Sequence, residues 1–177
     1  MEYDVKNKNT RMKKLALLGL ASSLSLLLSY VEFLIPPIYA AVPGIKVGLP
    51  NIVILWVLYV LGTKYAALVS LTRLCISSLL FGNPMTFMYS LAGAALSLAV
   101  MGILKKTDIL STVGLSVAGG VCHNLGQILV AMVLLDTPQI AYYMLVLALT
   151  GTLSGVFIGL CGALLIKRVQ PSKIFRF

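Results

Sequence analysis

The sequence predicts an all-α integral membrane protein, a compact bundle of six transmembrane helices. Three observations predict it. Hydrophobic residues make up 59% of the chain and charged residues 11%, with a mean hydropathy of +1.00. The apolar residues fall into six long stretches, and the charges lie almost wholly between and beyond them. A soluble domain of 177 residues has too little interior to hide that much apolar surface.

The first stretch, Leu15 to Ile35, runs from a basic N-terminal segment to Pro36. The second and third, Val47 to Gly62 and Ala66 to Phe81, are short. They cannot be one helix, because about 35 residues at 1.5 Å each would far overshoot a bilayer. Gly62-Thr63-Lys64-Tyr65 interrupts them like a turn, which predicts a tight helical hairpin. The fourth to sixth stretches are Met85 to Leu104, Ile109 to Leu135 and Ile140 to Ile166. These three and the first reach the roughly 20 residues that cross a hydrocarbon core.

Charge placement gives an independent reading, because short cytoplasmic loops collect Lys and Arg. With the N-terminus inside, 12 of the 14 basic residues lie on the cytoplasmic side; Lys46 and Arg73 are the exceptions. Both termini are therefore expected in the cytoplasm. The domain division is a basic tail over 1–14, a single membrane domain over 15–168 and a second basic tail over 169–177. The net charge of +9 is explained by orientation and contact with anionic membrane lipid, without nucleic acid. The N-terminal basic run before an apolar stretch imitates a signal peptide, but five further spans argue for a retained first helix.

The cysteines, Cys75, Cys122 and Cys161, fall inside spans without CxxC spacing, so neither a disulfide framework nor a metal site is indicated. No cofactor is expected. Small residues point to close helix packing or to docking of a membrane partner. Gly151, Gly155, Gly159 and Ala163 recur every four residues in the last span, and Gly19 with Ser23 and Ala21 with Ser25 do so in the first.

The polar residues within the spans mark the candidate binding site. Arg73 lies in the middle of an uninterrupted apolar stretch, where a cation costs about 2.5 to 3.5 kcal/mol unless it faces the bundle interior or a wet cavity. It reads either as a partner of Glu32 in a buried ion pair or as a binder of an anionic or polar group. His123 and Gln127 share a helix face, with Asn124 beside it, and Gly119, Gly120 and Gly126 thin the same segment. Pro43-Gly44-Ile45-Lys46-Val47-Gly48-Leu49-Pro50-Asn51 enters the second span with irregular backbone, which reads either as placing Lys46 and Asn51 at the mouth of the same outward cavity or as a rigid re-entry turn with Lys46 against lipid headgroups.

This loop motif, with Arg73 in the next helix, the Phe81-Gly82-Asn83-Pro84 turn and the His123-Asn124 to Gln127 segment, resembles the Gx transporter family, also known as heptaprenyl diphosphate synthase component I. The resemblance covers nearly the whole chain and adds Asn83 to the candidate substrate-binding set of Glu32, Lys46, Asn51, Arg73, His123, Asn124 and Gln127. The family is similar in turn to the S components of energy-coupling factor (ECF) vitamin transporters. That likeness implies an S-component-like fold, an outward site for a small molecule roofed by the first loop, a transmembrane coupling subunit and cytoplasmic ATPases. S components carry an Ala-x-x-x-Ala docking signature in helix one, where this chain has Ala16 with Leu20, Gly19 with Ser23 and Ala21 with Ser25.

Catalysis by the chain alone is not expected. Prenyl diphosphate elongation needs clustered carboxylates to hold magnesium, whereas the five acidic residues, Glu2, Asp4, Glu32, Asp108 and Asp136, are scattered. No nucleotide-phosphate cradle, HExxH or nucleophile elbow occurs. The leading expectation is a subunit of the cell membrane that captures a small polar or anionic nutrient, such as a vitamin, flavin or quinone precursor. The alternatives are a non-catalytic membrane component of heptaprenyl diphosphate or quinone biosynthesis, partnered by a polyprenyl synthase, and a self-sufficient small channel or carrier.

Overall fold

Punctuation residues set the helix ends in the computed structural model, which describes residues 2–35 and 47–169, with side chains from Arg11 onward. The described residues form six α-helices and one 3₁₀ turn, without a strand: α1 Glu2–Leu34, α2 Pro50–Val60, α3 Thr63–Leu80, α4 Pro84–Thr107, α5 Thr112–Leu134, the 3₁₀ turn Pro138–Tyr143, and α6 Met144–Arg168. Pro50 starts α2, where its missing N–H is no loss. Gly62, at φ +97°, supplies the left-handed backbone that separates α2 from α3. Asn83 and Thr86 close a capping box at the start of α4: the Thr86 N–H donates to Asn83 Oδ1 at 2.8 Å, and the Asn83 N–H donates to Thr86 Oγ1 at 3.1 Å.

Several boundaries shift by about a turn from the sequence expectation: α2 starts at Pro50 rather than Val47, α3 at Thr63 rather than Ala66, so that the expected turn shrinks to Leu61 and Gly62, and α5 at Thr112 rather than Ile109. Two differences are larger. Helix α1 begins at Glu2 rather than Leu15, because nothing between those positions breaks a helix; residues 2–14, predicted as a basic tail, continue the first helix. The sixth stretch splits at its start, where Pro138 opens the 3₁₀ turn and α6 proper begins at Met144. Four segments, Arg11–Leu34, Pro84–Thr107, Thr112–Leu134 and Pro138–Arg168, are long and apolar enough to cross a membrane.

Helices α4, α5 and α6 meet backbone to backbone through glycine. A Cβ on Gly126 would stand 2.7 Å from the Ala92 carbonyl oxygen, one on Gly155 2.6 Å from Val117 Cα, and one on Gly159 2.7 Å from Val113 Cα. Gly120 and Gly151 face each other across α5 and α6 in the same way, with a Gly120 Cβ falling 2.5 Å from the Gly151 oxygen. The glycines of the last span thus serve internal packing. Ala163 is half-buried, and its neighbour Gly162 takes the core position, against Leu55 of α2. In α1 the two small-residue pairs part: Ala21 and Ser25 are buried, while Gly19 and Ser23 are exposed.

Helix α2 is the centre of the core. Its Val57 and Leu58 are fully buried, and Leu17 and Leu18 of α1, Val69 of α3, Met101 of α4, Leu115 of α5 and Ile158 of α6 close around it. Two polar ties hold its C-terminal end. Lys105 Nζ donates to the Leu58 and Tyr59 carbonyls at 2.7 and 3.3 Å, which satisfies acceptors that the helix end leaves open. The Trp56 indole N–H donates to the Val169 carbonyl at 3.0 Å and joins α2 to the end of α6.

Candidate functional site

Polar residues from six helices converge where α1, α3 and α5 approach their C-terminal ends and α2 and α4 begin, with Ser154 contributed by α6. They enclose a cavity of about 310 Å³. Seven of the eight residues predicted for the site line it: Glu32, Asn51, Arg73, Asn83, His123, Asn124 and Gln127. The eighth, Lys46, lies outside the described residues.

Arg73 comes in from α3 and reaches α1, where its Nη1 donates to Ser29 Oγ at 3.3 Å. The Ser29 hydroxyl in turn donates to the Ser25 carbonyl at 3.0 Å, so its one donor is committed. The Nε of Arg73 is buried and meets no acceptor among the described residues. Glu32 stands near enough to attract the guanidinium electrostatically, but no hydrogen bond joins them among the described residues. Glu32 Oε1 accepts a hydrogen bond from the Gly48 N–H, which pins the end of the loop before α2 onto α1. Gly48 stands at φ +81° with Ile158 and Asn51 packed beside it, so a side chain there meets both strain and crowding. The two sequence readings of Arg73 are compatible here: Glu32 acts on the guanidinium through space, and the guanidinium lines the cavity with its Nε still without an acceptor among the described residues.

The opposite wall belongs to α5. His123 and Gln127, one turn apart, pack against Gly93 of α4, where a Cβ would come within 3.0 Å of both side chains. A bare backbone at Gly93 makes their placement possible. Asn124 is committed on one side, because its Nδ2 donates to the Leu147 carbonyl at 2.6 Å and binds α5 to α6. Asn83 is committed likewise as the cap of α4, and its side chain lies on the exposed rim.

Residues not singled out from the sequence complete the walls. Ser77, one turn beyond Arg73, shares its face, a spacing that was readable. Phe33, Phe81 and Phe87 form an aromatic side, with the Phe33 and Phe81 ring centroids 5.1 Å apart and Tyr30 packed on Phe81 from outside the cavity at 5.8 Å. They come from the end of α1, the turn before α4 and its first helical turns, so no periodicity links them. The arrangement offers hydrogen-bond donors on two facing walls and an apolar aromatic flank, and among the described lining residues Glu32 is the one carboxylate. Among the described residues no group of three or more His, Cys, Asp or Glu is placed to hold a metal ion.

The model of a family described as heptaprenyl diphosphate synthase component I matches residues 21–165, well over half of the chain and every described residue of the cavity wall. No curated protein and no solved structure matches the chain.

Proposed function

The chain belongs to the heptaprenyl diphosphate synthase component I family, and on that premise we propose that it is a membrane-embedded substrate-binding subunit of ECF type, which captures a small polar or anionic nutrient from the outer face. The observation that carries this reading is Arg73: a buried guanidinium with an unpaired Nε on the wall of a 310 Å³ cavity, faced by His123, Asn124 and Gln127. Burying such a cation without a full set of acceptors is costly, and a carboxylate, phosphate or carbonyl oxygen in the cavity supplies them. The volume suits a compact vitamin, flavin fragment or quinone precursor, with the phenylalanine flank for a planar or apolar part.

Membrane insertion accounts for the outward-facing leucines and valines: Leu79 is 86% exposed, Val133 80% and Leu153 72%. The basic loop residues Lys64, Lys105, Lys106, Lys167 and Arg168 gather at the end away from the cavity, which orients that end to the cytoplasm and the cavity outward. ATP hydrolysis would come from separate subunits reached through a coupling partner, for which the exposed Gly19 and Ser23 on α1 offer a close-approach surface. The words "component I" in the family description imply a companion component in any case.

The same description favours a second reading, a non-catalytic membrane component of heptaprenyl diphosphate biosynthesis. There the diphosphate would meet Arg73, while the prenyl chain, too large for the cavity, would run out along the aromatic flank. Mass spectrometry of small molecules that copurify with the full chain separates the two. A compact polar ligand, lost from Arg73→Gln with the fold intact and bound at least about tenfold more weakly on re-addition, supports capture. A copurified prenyl lipid, or prenyl elongation by the pure chain with magnesium, overturns it.

A further inference from the structure

Beneath the ligand cavity lies a second chamber of about 30 Å³. It shares Asn51, Gly120, His123 and Ile158 with the cavity above, and so continues that cavity into the bundle. Three serines from three helices meet there: Ser70 of α3, Ser97 of α4 and Ser116 of α5, which are 4%, 7% and 5% exposed. A helical serine often returns its hydroxyl to the carbonyl one turn back, as Ser23 does to Gly19 and Ser29 to Ser25. None of the three chamber serines does so, and none bonds to another described residue. The rest of the chamber is mostly apolar, with Leu55, Leu98 and Met101 among its walls.

The three hydroxyls are not sealed in protein, unlike Ser25 Oγ; they line one small chamber without a protein partner among the described residues, which suits a polar occupant. We propose that the chamber holds one or two ordered waters, hydrogen-bonded to Ser70, Ser97 and Ser116, that form a wet floor under the ligand cavity. The space is sufficient, since a water needs about 10–15 Å³ and two to four polar partners. A metal cation is disfavoured, because no carboxylate lines the chamber and the Arg73 guanidinium stands on the wall of the adjoining cavity. A ligand resting on Asn51 and His123 then meets the floor through water. The three serines thereby act as positioning residues that tune selectivity without touching the ligand. That last step rests on the capture reading, whereas the water itself does not.

Met101, which lines the chamber at 8% exposure, is a built-in reporter. X-ray hydroxyl-radical footprinting of the full chain in nanodiscs, without added ligand, generates radicals from local water and oxidises nearby thioethers. Met101 should gain oxygen at a rate comparable with exposed Met88, and the S70A/S97A/S116A triple variant should slow it several-fold. Single variants give a sign test in case the triple variant does not fold. Taking a partner from bound water lowers Tm by about 2–4 °C, whereas taking an orphan hydroxyl from a dry chamber raises it. An unlabelled Met101, or a Tm that rises on serine removal, overturns the proposal. A wild-type chain that labels at Met101 but captures no small molecule counts against the capture reading alone.

Discussion

The two halves of this bundle are held by different means. Helices α4, α5 and α6 are joined backbone to backbone through Gly93, Gly120, Gly126, Gly151, Gly155 and Gly159. Helices α1, α2 and α3 meet through side chains, and their polar links at the cavity are few: Arg73 to Ser29, and the Gly48 N–H to Glu32. A glycine seam has little freedom, because any shift opens it or drives main chain into main chain. A side-chain interface can repack. The cavity has one wall of each kind, with His123 and Gln127 on the seamed side and Arg73 and Glu32 on the adaptable one. Under the capture function proposed above, ligand shape would be read against α5 and accommodated by α1 and α3.

The contrast can be broken most sharply at Gly120. Gly120→Ala pushes a methyl group to 2.5 Å from the Gly151 oxygen and should cost about 3 kcal/mol, the upper part of the usual range for overpacking. Thermal melts in detergent measure it, and a wild-type melt would mean that the seam is not tight. Asn124→Ala removes the donor to the Leu147 carbonyl, leaves that oxygen to the Thr150 hydroxyl, and should cost about 1–1.5 kcal/mol in a chemical melt. At the junction between the halves, Asn83→Ala removes the cap of α4 and should cost about 1 kcal/mol, seen as faster amide exchange at Thr86 and Phe87. The smallest effect has the opposite sign. Gly19→Ala, in the side-chain half and with nothing within 4 Å, should raise stability by about 0.5–1 kcal/mol. A loss there would place Gly19 in a contact that the chain alone does not make.

Contrast decides what could be read from the sequence. Arg73, His123, Asn124 and Gln127 stood out because polar groups in apolar stretches are costly, and the structure brings them to one cavity. Gly62 marked the break between the second and third spans because its backbone preference is strong, whereas hydropathy started the second span at Val47, ahead of the helix start at Pro50. Phe33, Phe81 and Phe87 carried no such signal, since an apolar residue in an apolar chain looks like all the others. The partner of Glu32 was open for a related reason: a backbone N–H at Gly48 leaves no side-chain signature. The start of α1 was missed because hydropathy follows the apolar part of a helix, while the residues from Glu2 to Lys14 extend the same helix with polar side chains.

The link from the Trp56 indole to the Val169 carbonyl has an optical consequence. Trp56 is the sole tryptophan of the chain, is 6% exposed and lies in the second helix, whose N-terminal turn reaches the cavity. Its ultraviolet emission is therefore an unlabelled, single-site gauge of whether that helix and the chain end remain clasped. A blue, narrow band corresponds to the closed arrangement. A red shift and easier quenching by aqueous iodide would signal release, so a titration in an ordinary fluorimeter can follow whether an event at one end of the molecule is felt at the other.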